Sequence, residues 1–325
     1  MKNLDRKSRV ENAIRQKPID RIPVGFWFHF AGEEREGEPC VQAHLRHFRE
    51  SNTDFLKVMS DSFFEYPISY DVQSASEWRK VRPLGKDHPY IRKQVERVKR
   101  VCEETHGECC VFYNVFAPFS LIRFAKGDEM VMAHLKENEE GILAALEAIS
   151  EDNFSLCRAL FEETGCSGIY YAVQGGEKYR FTVPEYRRLI SPSDRVVLDY
   201  ANRYSDLNMI HMCAWAGDAN NLEVWQDYPA AVFNWAVYIE GLSLQEGIRF
   251  FGGKTVMGGF DNRKTGVLYS GSLEEISGFT RGLAGEVGLK TPGIIFGADC
   301  TLSNDIDRSH IRAVGDTLDA MTAAQ

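Results

Sequence analysis

The residues of this chain best suited to chemistry are His211, Cys213 and Cys300. His211-x-Cys213 sets an imidazole and a thiol two positions apart. On a β-strand, residues i and i+2 project to the same side, so both can address one ion. Cys300 ends another short apolar run much later in the chain. Three nitrogen and sulfur ligands with a fourth position open are the pattern of a catalytic Zn²⁺, whereas structural zinc is usually enclosed by four protein ligands at short spacing. The softness of the set favours Zn²⁺ over Mg²⁺. Glu177 and Glu240 are candidates for a fourth ligand in the resting state, although water or substrate suits that position better. The plainer alternative is a hydrogen-bonded core histidine with two cysteines as core filler, and spacing alone leaves it open.

The elements that would have to position these residues are short apolar runs at 22–28, 55–59, 110–116, 168–173, 207–212, 230–237, 255–259 and 293–296. They are bounded by turn residues and mostly rich in β-branched and aromatic side chains, as buried parallel strands are. Helical patterns lie between them. They cover 9–14, 41–49, 91–105, 130–164 (long enough for two helices), 183–204 with a break near Pro192, 243–251, 272–287 and 307–321. Thr182 with Pro184, Ser243 with Glu246 and Ser272 with Glu275 are helix-start signals. Eight strands alternating with helices predict an α/β fold of the (β/α)8 TIM-barrel type, with residues 1–325 as one barrel domain carrying an N-terminal helical extension. A doubly wound open sheet is the runner-up, disfavoured because no strand leads into a Gly-x-Gly-x-x-Gly or P-loop motif.

In such a barrel the active face is built from the C-terminal ends of the strands. Those ends carry Trp27, Phe28 and His29; Asp61; Asn114; Gln174 and Glu177; His211 and Cys213; Asn234 and Glu240; Asp261; and Cys300. Polar groups converging from most strands predict a small-molecule pocket. Trp27, Phe28, Phe63, Phe64, Trp215 and Trp235 cluster near the same ends, either as rim packing or as a wall for a flat ligand.

The bulk properties narrow the field. The chain has 325 residues, 44% hydrophobic and 26% charged, with Lys plus Arg 38 against Asp plus Glu 47 and a formal charge of −9. That balance argues against nucleic acid as a partner. No apolar run approaches membrane-spanning length, and the polar start predicts no signal peptide and a cytoplasmic protein. There the eight cysteines are expected to be thiols.

The segments Arg9-Val10-x-Asn12-Ala13-Ile14, Asp20-Arg21-Ile22-Pro23-Val24, Gly253-Lys254-Thr255-Val256-x-Gly258-Gly259-x-Asp261 and Ala298-Asp299-Cys300 resemble the uroporphyrinogen decarboxylase superfamily over nearly the whole chain. The decarboxylase branch holds its polycarboxylate substrate with an Arg-Gln-Ala-Gly-Arg motif after the first strand. This chain reads His29-Phe30-Ala31-Gly32-Glu33 there, and Cys300 takes the place of a histidine in the closing motif. The corrinoid-dependent branch, similar to methylcobamide:coenzyme M methyltransferase, carries His-x-Cys and a distant Cys as zinc ligands, matching His211, Cys213 and Cys300. Ala214-Trp215, Asp299 and Thr301 depart from that branch's glycines, which puts coenzyme M itself in doubt as acceptor.

The resemblance therefore implies a zinc-dependent methyltransferase that moves a methyl group between a corrinoid protein and a thiol or other small acceptor. Zn²⁺ would activate the acceptor, and methyl-cobalamin would be presented by the partner protein. Asp61, Asn114, Gln174, Asn234 and Asp261 would orient the acceptor or the metal ligands, with Trp27, His29 and Trp215 toward the cofactor. The alternatives are a metal-free lyase acting on a smaller carboxylic acid and a non-catalytic methyl-corrinoid-binding protein.

Overall fold

In the computed structural model, residues 3–214 and 217–324 are described. Eight parallel strands among them form a nearly closed (β/α)8 barrel. They are β1 (Val24–Gly25), β2 (Phe55–Val58), β3 (Cys110–Phe116), β4 (Gly168–Val173), β5 (Met209–Met212), β6 (Val232–Trp235), β7 (Thr255–Phe260) and β8 (Ile294–Ala298). Ladder bonds run from β2 through each successive strand to β8 and on to β1. Every strand has a predecessor among the expected runs, because an all-buried parallel strand must be apolar on both faces. The first run, expected over 22–28, is a ladder strand only at Val24–Gly25.

The β1–β2 seam is closed by a side chain. The Asp54 amide donates to the Val24 carbonyl at 2.7 Å, and its carboxylate accepts from the Val24 amide at 2.7 Å. The same carboxylate receives Arg9 at 2.7 Å and Arg21 at 2.7 Å, and Arg9 is also paired with Asp20. Arg9, Asp20, Arg21 and Asp54 are all buried. Charge pairs in such a setting hold only because each member satisfies the others.

The helix-start signals operate as read. Thr182, Ser243 and Ser272 each form a reciprocal capping box with the glutamate three residues on. The long pattern at 130–164 divides into helices Asp128–Glu137 and Glu139–Glu163, and the pattern around Pro192 divides into Val183–Leu189 and Ser191–Ala201. A helix at Pro118–Lys126 was not among the expected helices, although Ser120, Arg123 and Lys126 recur every three residues among apolar ones. Its first six residues are all buried, Ser120 and Arg123 included. Among the described residues, no helix is long and apolar enough to cross a membrane.

Candidate metal centre

A cavity of about 420 Å³ opens at the C-terminal ends of the strands. Its wall is built from residues two apart on successive strands and their exits. They are Lys57 and Met59 from β2, Asn114 and Phe116 from β3, Ala172 and Gln174 from β4, and His211 and Cys213 from β5. Cys300 joins from the exit of β8, and His29 from the loop after β1. The two-residue period is the strand alternation: one face fills the barrel and the other packs on the helices.

His211, Cys213 and Cys300 meet there. Their ligand atoms all lie within 4.8 Å of one another, and they are the one such His/Cys/Asp/Glu group among the described residues. The Cys213 and Cys300 sulfurs are 3.9 Å apart, and Cys300 Sγ is 3.4 Å from His211 Nε2. Tetrahedral zinc, with bonds of about 2.3 Å to sulfur and 2.0–2.1 Å to nitrogen, requires separations of about 3.8 and 3.6 Å. The two separations that involve Cys300 therefore match a zinc ion, and the third lies within 4.8 Å. The hydrogen bond from Cys213, together with the neighbouring His211, holds the Cys300 thiol well below its ordinary range, toward the ligating thiolate.

The imidazole is oriented from behind. His211 is paired with Asn234 across the β5–β6 ladder, and its Nδ1 lies 2.6 Å from Asn234 Oδ1. Asn234 is fully buried and donates to the carbonyls of Met257 at 2.9 Å and Ala298 at 3.3 Å. With its amide nitrogen committed, the side-chain oxygen must face His211, so Nδ1 carries the proton and Nε2 presents its lone pair to the two sulfurs. Tyr170 donates to the same oxygen at 2.6 Å and lies stacked on the imidazole, with ring centroids 5.3 Å apart. This is the partner arrangement metal-binding histidines use to fix their tautomer.

At the cavity edge, the buried Asp61 carboxylate accepts from His29 Nδ1 at 2.7 Å and from the Phe30 amide at 2.9 Å. Burial pushes this carboxylate up, but the His29 and Phe30 bonds outweigh it and hold it below its usual range. The buried Arg97 fixes the loop after β2 by donating to the carbonyls of Met59, Asp61 and Arg35. Asp299, beside Cys300, accepts from the Tyr238 amide at 2.9 Å, and burial raises it to about 8.

Several expected residues stand elsewhere. Asn234 and Asp61 lie behind the wall and act through His211 and His29. Asp261 is bound to Arg263, which lines the cavity in its place. Trp27 is buried beneath the cavity, its ring covered by the Lys57 ammonium, because so large a side chain is spent on filling the barrel. Trp215 lies outside the described residues. Glu177 is bound to Arg180 at 2.7 Å, and Glu240 accepts from Asn220, so neither carboxylate joins the metal group. Nor do the aromatics form a single wall. Phe28 packs on His47, Phe63 on Arg97 and Trp235 on Phe251, while Phe64 reaches the cavity and is joined there by Phe116 and Phe124. Lys57 and Tyr170 are among the residues of the site that went unread, as are Arg263, Phe116 and Phe124. The signal for the first was available: a lysine within the run Phe-Leu-Lys-Val-Met.

The sequence model of the uroporphyrinogen decarboxylase (URO-D) family matches residues 59–321. The chain belongs to that family. No curated protein sequence matches it. Among solved structures it is similar to a methyltransferase from Methanosarcina mazei, with a TM-score of 0.74 and 14% identity over 98% of this chain and 99% of that one. It is also similar to a B12-independent methionine synthase from a Shewanella species in complex with selenomethionine, with a TM-score of 0.56 and 12% identity over 94% and 98% of the two chains. At these identities the likeness is one of fold.

Proposed function

We propose that this protein is a zinc-dependent methyltransferase that moves a methyl group between a corrinoid protein and a small thiol acceptor. The observation that carries the reading is the convergence of the His211, Cys213 and Cys300 ligand atoms on the cavity, with the two separations that involve Cys300 close to those of tetrahedral zinc. Bound there, Zn²⁺ supplies Lewis acidity that lets a thiol ionise at neutral pH. The chain's own residues do the rest. Asn234 holds His211 in the ligating tautomer. Asn114 and Gln174 offer amides to the acceptor from the cavity wall. Phe64, Phe116 and Phe124 supply an apolar side that keeps water from the reacting thiol, and the rigid strand ends hold the partners in line.

The methyl-cobalamin of the partner protein is read as a substrate presented over the cavity mouth. The URO-D family resemblance and the methyltransferase neighbour support this assignment, and the site suits the cytoplasm, where thiols stay reduced. The B12-independent neighbour is why the donor has to be tested separately from the metal.

The test is elemental analysis of the purified protein and of His211→Ala and Cys300→Ser, followed by turnover with methylcobalamin and a panel of thiols. One zinc per chain, lost in both variants together with thiol-dependent loss of methylcobalamin absorbance, is the expected result. Full turnover by metal-free protein would sink the metal assignment. Zinc binding without reaction from any methyl-corrinoid would sink the donor assignment.

A further inference from the structure

The cavity holds a cation that the metal centre does not use. Lys57 sits inside β2 and is 6% exposed, yet it contributes to the cavity wall. Its ammonium lies 3.6 Å from the centre of the Tyr170 ring and 4.4 Å from that of Trp27. Among the described residues it makes no hydrogen bond and no ion pair. A buried ammonium with only ring faces for company is expensive to keep. Two aromatic faces offset part of that expense, but they leave its N–H donors without an acceptor.

The rest of the wall shows what is missing. Arg263, another basic side chain there, is held by Asp261 through three short contacts. Asn114 and Gln174 are neutral, and no carboxylate lines the cavity among the described residues. Burial lowers Lys57 to about 7, with the charges of Cys300, Cys213 and Asp61 pulling it partway back. Those three are the negative groups that act on it, and none is in hydrogen-bond contact. A ligand bringing its own negative oxygen would supply both the charge and the acceptor.

We propose that Lys57 is the specificity-determining residue of this cavity, receiving the carboxylate of a small acidic ligand whose other end faces His211, Cys213 and Cys300. The inference deepens the methyltransferase reading by making the acceptor thiol an acid, and it rests on that reading only for what the far end of the ligand does. The ammonium approaches over Tyr170, the ring stacked on His211, so a short acid spanning the two sites would lie along one side of the barrel interior. A charge-assisted hydrogen bond in a cavity this enclosed is strong enough to discriminate an acid from its neutral isostere by about tenfold or more.

The experiment is calorimetric titration of the zinc-loaded protein with 3-mercaptopropionate and with 3-mercaptopropionamide, two probes that differ in charge and not in size. Wild type is expected to bind the acid at least about tenfold more tightly. Lys57→Met is expected to remove the preference by weakening the acid alone, and Lys57→Gln serves the same purpose should the methionine variant fail to fold. The double variant His211→Ala, Cys300→Ser separates the two readings. It should bind both probes more weakly while keeping the preference for the acid. Equal affinity of wild type for acid and amide, a preference surviving in the Lys57 variants, or a preference that disappears with the metal ligands while Lys57 is intact would each overturn the assignment. The last outcome would mean that Lys57 balances the metal-centre sulfurs rather than a carboxylate.

Discussion

Replacing Asn234 with alanine tests whether the metal centre is held from behind as the hydrogen bonds indicate. Asn234 is fully buried and makes four hydrogen bonds, to His211, Tyr170, Met257 and Ala298. Truncation strips the Nδ1–H of His211 of its acceptor and frees the imidazole to rotate or change tautomer. Loss of such a supporting partner typically lowers metal affinity by about 10- to 100-fold, which corresponds to about 1.4–2.7 kcal/mol. The same change leaves the Tyr170 hydroxyl and two carbonyls short of a partner, at about 1–3 kcal/mol for each group that water does not reach. The two effects must be measured separately. Zinc affinity is read by competition with a chromophoric chelator at fixed pH, and the stability of the metal-free protein by urea unfolding. Asn234→Asp keeps an acceptor for His211, so its zinc affinity should stay within about tenfold of wild type while its stability falls. A folded Asn234→Ala protein that binds zinc within about twofold of wild type would refute the claim that this hydrogen bond prepares His211 as a ligand.

Two further outcomes are expected. Lys57→Met should stabilise the protein near neutral pH. The folded-state value of about 7 lies below the 10.5 of an ordinary lysine, so the unfolded chain binds the proton more tightly. The destabilisation is then complete below about pH 7 and fades as pH rises toward 10.5. At 1.36 kcal/mol for each unit of difference, the upper bound is about 5 kcal/mol. Urea unfolding at pH 6.5 and pH 9.5 checks it, and a variant less stable than wild type at the lower pH would contradict the picture of an uncompensated charge. Asp54→Ala should cost about 3–5 kcal/mol because it leaves Arg9 and Arg21 buried without their shared partner at the β1–β2 seam. A loss under about 1 kcal/mol in the same assay would show that the seam is held by other contacts.

Much of the architecture is legible along the chain because its signals are local. A strand buried on both faces has to be a short apolar run, so all eight strands stand out, including the four-residue β5 that carries His211. Capping boxes are legible for the same reason, since the serine or threonine and its glutamate are three residues apart. The helix at Pro118–Lys126 is harder to read, because it has only nine residues and follows almost directly on the apolar run of β3. The weak point of β1 is also invisible, since its pairing is replaced by Asp54, thirty residues away in sequence.

The candidate site divides in the same way. His211-x-Cys213 is readable as a pair because strand alternation turns two neighbours to one side, and Cys300 is placed beside them once the barrel closes. Residue types and chain order thus determined the candidate ligand set and the face of the barrel on which it lies. Only the tertiary structure decided which neighbouring polar groups touch the cavity. Asp61 and Asn234 withdraw behind His29 and His211, Asp261 turns to Arg263, and Glu177 and Glu240 are consumed by Arg180 and Asn220. Lys57 advances into the cavity without a counter-ion. The physical reason is that a polar side chain goes where its charge or hydrogen bond is met, and that partner is supplied by another strand or loop at no fixed distance in sequence.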